Sequence, residues 1–190
     1  MKVGLFFGSF NPIHAGHLII AQTMYERSDV EEIWFIVSPQ NPLKKSKSLL
    51  HEFDRYDMVE LAIREQSKFK ALDVEFSMPK PSYTIDTLTV LAERYPENTF
   101  RLIMGGDNLK YFGKWKNSAK ILEHFGLLVY PRPNQDESLR IDHENIEYIQ
   151  APRLDISATF IRDTIKKGFS LKYLVPESVA NYIDKKQLYL

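Results

Sequence analysis

The chain has 190 residues, with 25 Lys and Arg against 25 Asp and Glu, so its formal net charge is zero. A neutral chain has no overall field that attracts nucleic acid, so an anionic ligand would need local positive groups. There is no cysteine, which excludes disulfides, thiolate catalysis and cysteine-bound zinc.

The order of apolar runs predicts one α/β domain over residues 1–190, with a Rossmann-like, mostly parallel sheet and helices on both faces. The first strand begins at once, so we expect no signal peptide, and no apolar run approaches membrane-spanning length. A cytoplasmic protein without a nucleic acid or membrane partner is expected.

The first turn of the chain connects a strand to a helix. Residues 3–7 are an apolar run that predicts a buried strand, and residues 18–25 carry apolar side chains at helical spacing. Between them, residues 8–17 read G-S-F-N-P-I-H-A-G-H. Gly8 permits a tight turn and a close approach of a ligand to the backbone.

Two histidines, His14 and His17, lie three residues apart at the start of that helix. Free N–H groups and the helix dipole favour an anion there, so the pattern predicts a phosphate site. A metal site is less well supported, because two histidines need a third protein ligand and no cysteine or acidic residue is near.

A second buried strand is predicted at residues 32–38, parallel to the first through a right-handed crossover. The glycine fingerprint and strand-end acidic residue of NAD-binding domains are absent, as is a Walker A motif. The basic run at residues 44–48 is equally compatible with a solvated loop and with a loop that closes on phosphate. It looks like the K-M-S-K-S loop of class I aminoacyl-tRNA synthetases, but that loop comes late in their catalytic domain.

The middle of the chain predicts two helices and two strands, at residues 52–66, 70–76, 82–95 and 99–104. Either Ser82 or Thr84 is expected to cap the second of these helices. The last strand runs into a glycine turn with Asp107, at the strand end where open α/β sheets bind ligands. Asp107 either caps the following helix or accepts hydrogen bonds from a ribose. Trp115, on that helix, either stacks on a heteroaromatic ring or packs beneath it.

The C-terminal third contains a second motif, I-S-A-T-F-I-R, at residues 156–162. It opens a helix in which Ser157 and Thr159 occupy the first turn and Arg162 lies one turn on. A capping role would account for Ser157, but it would not account for Ser157, Thr159 and Arg162 occurring together. Phosphate binding is therefore predicted. The other predicted elements are a helix, a strand, a polar surface connection, a strand and a last helix, at residues 118–125, 126–130, 135–144, 146–149 and 176–186.

These two motifs resemble G-x-F-x-P-x-H-x-G-H and I-S-S-T-x-I-R of the nucleotidyltransferases related to class I aminoacyl-tRNA synthetases. Ala158 stands where the family commonly has a second Ser. Within that superfamily, residues 82–88 and 105–115 look like the S-Y-T-x-D-T-L and G-x-D-x-L-x-x-F-x-x-W motifs of the nicotinate-nucleotide adenylyltransferases. Residues 41–45 resemble the P-x-H-K loop of that family, with Lys44 in place of its His.

The resemblance implies transfer of AMP from ATP to nicotinate mononucleotide, with Mg²⁺ bound through the ATP phosphates. It implies that His14, His17 and Arg162 are catalytic. The ATP-binding residues that it implies are Gly8, Ser9, Phe10, His14, His17, Gly105, Asp107, Ser157, Thr159 and Arg162. Those implied for the mononucleotide are Lys45, Thr84 and Trp115.

Two alternatives stay open. The first is another nucleotidyltransferase, which would act on nicotinamide mononucleotide or phosphopantetheine. The motifs around Thr84 and Trp115 argue against phosphopantetheine. A non-catalytic nucleotide-binding module is the other, although the intact His14, His17 and Arg162 argue against it. The sequence does not choose between the acid and the amide substrate, between a monomer and a homo-oligomer, or among roles for Arg132.

Overall fold

One parallel sheet organises the computed structural model, which describes residues 1–39, 49–132 and 140–190. Its strands are β1 (Lys2–Gly8), β2 (Glu32–Val37), β3 (Phe69–Leu72), β4 (Thr99–Gly105), β5 (Leu127–Tyr130) and β6 (Ile146–Tyr148). They lie in the order β3-β2-β1-β4-β5-β6, and every neighbouring pair is parallel. The order changes direction between β1 and β4, and open α/β sheets bind ligands beyond the strand ends at such a switch point.

Helices cover both faces of this sheet. In the described ranges they are α1 (Ala15–Arg27), α2 (Glu52–Ile63), α3 (Thr84–Arg94), α4 (Gly106–Phe112), α5 (Ser118–His124), α6 (Ala158–Lys166) and α7 (Glu177–Lys186). Side chains alternate along β1, so Phe6 faces α1, α2, α6 and α7, while Leu5 faces α3, α4 and α5. The predicted fold class, a Rossmann-like sheet with helices on both faces, is confirmed.

The third strand is shorter than predicted. The alternating pattern of residues 70–76 predicts a strand over the whole stretch, but β3 ends at Leu72 and a 3-10 helix follows at Val74–Ser77. The register with β2 also ends at Leu72. The 3-10 turn buries Val74, so the apolar periodicity continues after the strand has stopped.

Two helices also end earlier than predicted. The helix predicted to reach residue 66 stops at Ile63, where a turn closes with the Gln66 N–H bonded to the Ile63 carbonyl. Trp115 lies beyond α4, because that helix ends at Phe112. Of the predicted polar connection, residues 140–144 are exposed, and its earlier part lies outside the described residues.

The predicted cap of α3 is wrong. Neither Ser82 nor Thr84 is the N-cap; Tyr83 is, and it makes no side-chain capping bond. Thr84 is already the first helical residue, whereas Ser82 is a buried residue one position before the cap. The hydroxyl of Thr84 is therefore not explained by capping.

None of the helices in the described part of the chain has the length and apolar composition that crossing a lipid bilayer requires.

Candidate active site

A cavity of about 500 Å³ opens where β1 and β4 end. The turn after β1, the start of α4, the end of β5 and the start of α6 form its walls. The implied ATP-binding residues that line it are Gly8, Ser9, Phe10, His14, His17, Asp107, Ser157, Thr159 and Arg162. Residues separated by about 150 positions in sequence thus meet at the sheet's switch point, as the two motifs predict.

Gly16 allows the two motifs to meet. A Cβ atom at Gly16 would lie 2.4 Å from Cγ2 of Ile156 and 3.1 Å from the ring of His14. Both distances are shorter than ordinary van der Waals contact, so only glycine fits at this position. The glycine of the H-x-G-H motif is therefore required because α1 and the chain entering α6 come into direct contact.

The two histidines are stacked at the wall of the cavity. Their ring centroids lie 3.7 Å apart with an interplanar angle of 25°. The backbone N–H of His14 donates to Nδ1 of His17 over 3.3 Å, so a neutral His17 carries its proton on Nε2. Nδ1 of His14 is buried and has no hydrogen-bond partner among the described residues. Both rings therefore keep hydrogen-bonding capacity for a ligand.

Both histidines are neutral at neutral pH. Burial, with a smaller contribution from Arg132, lowers the pKa of His14 from 6.5 to about 4. Burial also lowers the pKa of His17 well below its ordinary value, and His14 and Arg132 lower it further. The histidines can thus offer neutral N–H donors to a phosphate, while the positive charge comes from arginines.

The ring of Phe10 packs against the ring of His17. It is buried and meets the His17 ring edge to face, with centroids 5.1 Å apart. A Cβ at Gly8 would lie 2.7 Å from the Phe10 ring, so Gly8 leaves the room that Phe10 occupies. Two positions of the motif thereby serve the placement of the imidazole.

The start of α6 forms the opposite wall. Ser157 is the N-cap, and its Oγ accepts from the Phe160 N–H over 3.2 Å. Arg162 donates through Nη2 to Oγ1 of Thr159 over 3.1 Å and through Nη1 to the carbonyl of Asn11 over 2.8 Å. Ser157 therefore caps the helix, while Thr159 and Arg162 are bonded to each other and Arg162 is bonded to the turn after β1.

Arg132 is a site residue to which the sequence assigned no role. It lines the cavity, and its Nε lies 3.7 Å from Oδ2 of Asp107, which is in the first turn of α4. A Cβ at Gly105 would lie 2.5 Å from Oδ1 of Asp107 and 3.0 Å from Cγ of Arg132, so both side chains lie close against the end of β4. The signal was the position of Arg132, just after a strand next to β4.

Of the residues implied for the mononucleotide, Thr84 and Trp115 do not line this cavity. Lys45 and the whole basic run at residues 44–48 lie outside the described residues. Thr84 begins α3, and Trp115 is half-buried with its ring 5.7 Å from that of Phe112. Lys116 joins the two segments, because its Nζ lies 2.9 Å from the Asp86 carboxylate and 4.8 Å from the centre of the Tyr83 ring. The segments that carry Thr84 and Trp115 are therefore in contact through Lys116.

In the ranges that the structure describes, no three His, Cys, Asp or Glu side chains form a group that could hold a metal ion. Asp107 is the acidic lining residue of the cavity in those ranges, and it is already paired with Arg132.

Comparison with known sequences identifies close relatives. A sequence model of the cytidylyltransferase-like family matches residues 5–164. A probable nicotinate-nucleotide adenylyltransferase of Cytophaga hutchinsonii is 55% identical over 189 residues, which cover 100% of this chain and 98% of that protein. A protein of the same description from Flavobacterium psychrophilum is 47% identical over 191 residues, covering 100% and 99%.

Comparison with solved structures confirms the fold. A nicotinic acid mononucleotide adenylyltransferase of Plasmodium falciparum, complexed with NaAD, matches with a TM-score of 0.83. It is 23% identical and the match covers 99% of this chain and 97% of that chain. The same enzyme complexed with APC matches with a TM-score of 0.82.

The neutral histidines predict a loss of stability in acid. In the unfolded chain His14 takes up a proton near pH 6.5, whereas in the folded chain it does so only near pH 4. The unfolded state therefore binds more protons between these values, and the free energy of unfolding falls as the pH falls through them. At about pH 5, His14 lowers the free energy of unfolding by roughly 2 kcal/mol relative to neutral pH, and His17 acts in the same direction.

Urea unfolding of the ligand-free protein at about pH 7.5 and about pH 5 measures this loss. Other groups also titrate in this range, so the matched control is the double variant His14→Gln/His17→Gln. We expect the wild type to lose more stability between the two pH values than the double variant does. Equal losses would contradict the neutral state of the two imidazoles.

Proposed function

The chain belongs to the nicotinate-nucleotide adenylyltransferase family, and we propose that it transfers AMP from ATP to nicotinate mononucleotide, a step of NAD biosynthesis that gives deamido-NAD and pyrophosphate. One structural observation carries the proposal. The two stacked histidines and the start of α6 with Arg162 face each other across one cavity at the switch point of the sheet.

The walls of the cavity suit the phosphates of ATP. His14, His17 and Arg162 are the proposed catalytic residues, with Ser157 and Thr159 beside them at the start of α6. The free N–H groups at a helix start favour anions, and one guanidinium group can donate two parallel hydrogen bonds to phosphate oxygens. Gly8, Ser9 and Phe10 form the backbone wall, and Gly105 and Asp107 are proposed to meet the ribose. We add Arg132 as a second cation for the phosphates, because it lines the same cavity.

The chemistry needs little from an acid or a base. An oxygen of the mononucleotide phosphate attacks the α-phosphorus of ATP, a new P–O bond forms, and the bond to pyrophosphate breaks. The attacking phosphate is already anionic, since its second pKa is about 6. The protein must therefore hold the two substrates in line and stabilise the charge on the α-phosphate and the leaving group. Neutral His17, with its proton on Nε2, is a fixed donor of this kind.

We propose that Mg²⁺ enters with ATP and is bound through its phosphates. The described polar side chains of the cavity are imidazoles, hydroxyls, guanidinium groups, two amides and one carboxylate, and Mg²⁺ prefers oxygen ligands. Phosphate oxygens would therefore supply most of its coordination. When bound, the ion would neutralise charge on the phosphates.

The acceptor is proposed to bind beside the cavity. Thr84 at the start of α3 and Trp115 after α4 lie on segments that Lys116 holds together. The hydroxyl of Thr84 has no capping role, and a half-buried Trp can stack on a pyridine ring. Lys45 is proposed to meet the mononucleotide phosphate, on the family resemblance alone.

A comparison of acceptors tests the proposed function. We expect ATP with nicotinate mononucleotide to release pyrophosphate, with a kcat/KM well above that for nicotinamide mononucleotide or phosphopantetheine. Coupled pyrophosphate release with each acceptor is the measurement. If phosphopantetheine were the only acceptor that gave pyrophosphate release, the chain would be another nucleotidyltransferase. If no acceptor gave release, a non-catalytic nucleotide-binding module would be favoured.

His17→Ala is expected to lower kcat by about two orders of magnitude or more, as the loss of one oxyanion donor does. Thermal unfolding shows whether the variant folds. The matched control is His124→Ala, which removes an exposed imidazole at the end of α5 and should leave kcat unchanged. A folded His17→Ala protein with normal kcat would contradict the catalytic assignment.

Trp115→Ala is expected mainly to raise the KM for the mononucleotide, because it removes the proposed stacking surface while the ATP cavity stays intact. Steady-state kinetics with each substrate varied in turn separates the two constants. Tyr111→Ala, which truncates an exposed aromatic residue of α4, is the matched control. An unchanged KM in Trp115→Ala would make Trp115 a packing residue.

A further inference from the structure

Arg55 on α2 is a fully buried arginine that the proposed reaction does not use. Its side chain has no solvent exposure, yet it takes part in none of the ion pairs within the described residues. A guanidinium removed from water is costly unless its N–H groups are bonded. The partners of Arg55 therefore show what this buried charge is for.

Within the described residues, each hydrogen bond that the Arg55 side chain donates goes to a backbone carbonyl group. Nη1 donates to Ser9 over 2.5 Å and to Ser38 over 2.8 Å. Nη2 donates to Pro39 and Nε donates to Leu50, each over 3.0 Å. One planar group thus ties three backbone segments together: the turn after β1, the chain leaving β2, and the residue before His51, the N-cap of α2.

The carbonyl of Ser9 belongs to the wall of the cavity. Ser9 lines it, and the same turn leads through Asn11 to His14. Asn11 is held on its other side, since its carbonyl accepts from Arg162 and its Oδ1 accepts from the buried Tyr189 hydroxyl over 2.9 Å. Arg55 therefore supplies one of the contacts that set where the turn, and with it His14, stands relative to α6.

We propose that Arg55 is a positioning residue for AMP transfer, whose guanidinium fixes the turn after β1 through the carbonyl of Ser9. The inference rests on the proposed function for the reaction that it serves. A lysine cannot replace this arrangement, because an ammonium is a point charge with three donors, whereas the four carbonyls surround a planar fork. A small displacement of the turn would misplace groups that must act in line, and about 1 Å of misplacement can cost about a hundredfold in rate.

Arg55→Lys is the decisive variant, because it keeps the positive charge and most of the volume. We expect kcat to fall at least about tenfold, since positioning is impaired. The Kd for a non-hydrolysable ATP analogue should change less than about threefold, because the charge behind the phosphate cavity remains. Arg55→Met, which also removes the charge, should raise that Kd further.

Hydrogen exchange supplies a readout that needs no substrate. Peptides covering residues 9–14 should exchange faster in Arg55→Lys than in the wild type, whereas peptides from β4 should not change. The matched control is Arg101→Met on β4, which removes a half-buried arginine that pairs with Asp29 and Glu147. It should lower the melting temperature, with kcat and the exchange of residues 9–14 unchanged.

The outcomes separate the two proposals. A wild type that releases no pyrophosphate contradicts the proposed function. If the wild type is active, normal kcat in Arg55→Lys overturns the role of Arg55, and so does normal exchange at residues 9–14. An equal loss of kcat in Arg101→Met would also overturn it, because the effect would then follow from stability in general. Should Arg55→Met fail to fold, Arg55→Lys decides alone.

Discussion

The hydrogen bond from Arg162 to the carbonyl of Asn11 joins residues 151 positions apart, and the cavity depends on it. Asn11 lies in the turn that leads into α1, and Arg162 lies one turn into α6, so the bond fixes two helix starts relative to each other. Gly16 makes the approach possible, because any side chain there would overlap Ile156. The two walls of the cavity are therefore a single tertiary contact rather than two independent binding loops.

The electrostatics of the cavity divide between neutral donors and fixed cations. Burial that lowers the pKa of both histidines would make an imidazolium pair costly, so His14 and His17 act as neutral rings. Positive charge comes instead from Arg162, and from Arg132, which is paired with Asp107. An arriving phosphate adds negative charge beside the imidazoles, which raises their pKa towards the ordinary value of a histidine.

The sequence predicted the parts of this structure that local pattern encodes, and it failed where tertiary contacts decide. Apolar runs located the strands, and the spacing around His14 and Ser157 located both helix starts. The predicted end of β3 was wrong because a 3-10 turn can bury Val74 as a strand would. Arg55 could not be predicted, since a single arginine in an amphipathic helix reads as a solvated side chain. Its burial follows only from the meeting of three segments.

A chain with no net charge can still hold a polyanion, because some of its arginines are positioned by backbone carbonyls rather than by carboxylates. Arg55 is bonded to four carbonyls and Arg162 to one, and neither takes part in an ion pair within the described ranges. Carbonyl dipoles satisfy N–H groups without cancelling the charge, whereas a carboxylate partner would cancel it. Arg162, which lines the cavity, is thus held in place with its charge intact before a ligand arrives, which is the condition for electrostatic stabilisation without reorganisation. Equal numbers of acidic and basic residues then balance the chain as a whole, while the site itself remains positive.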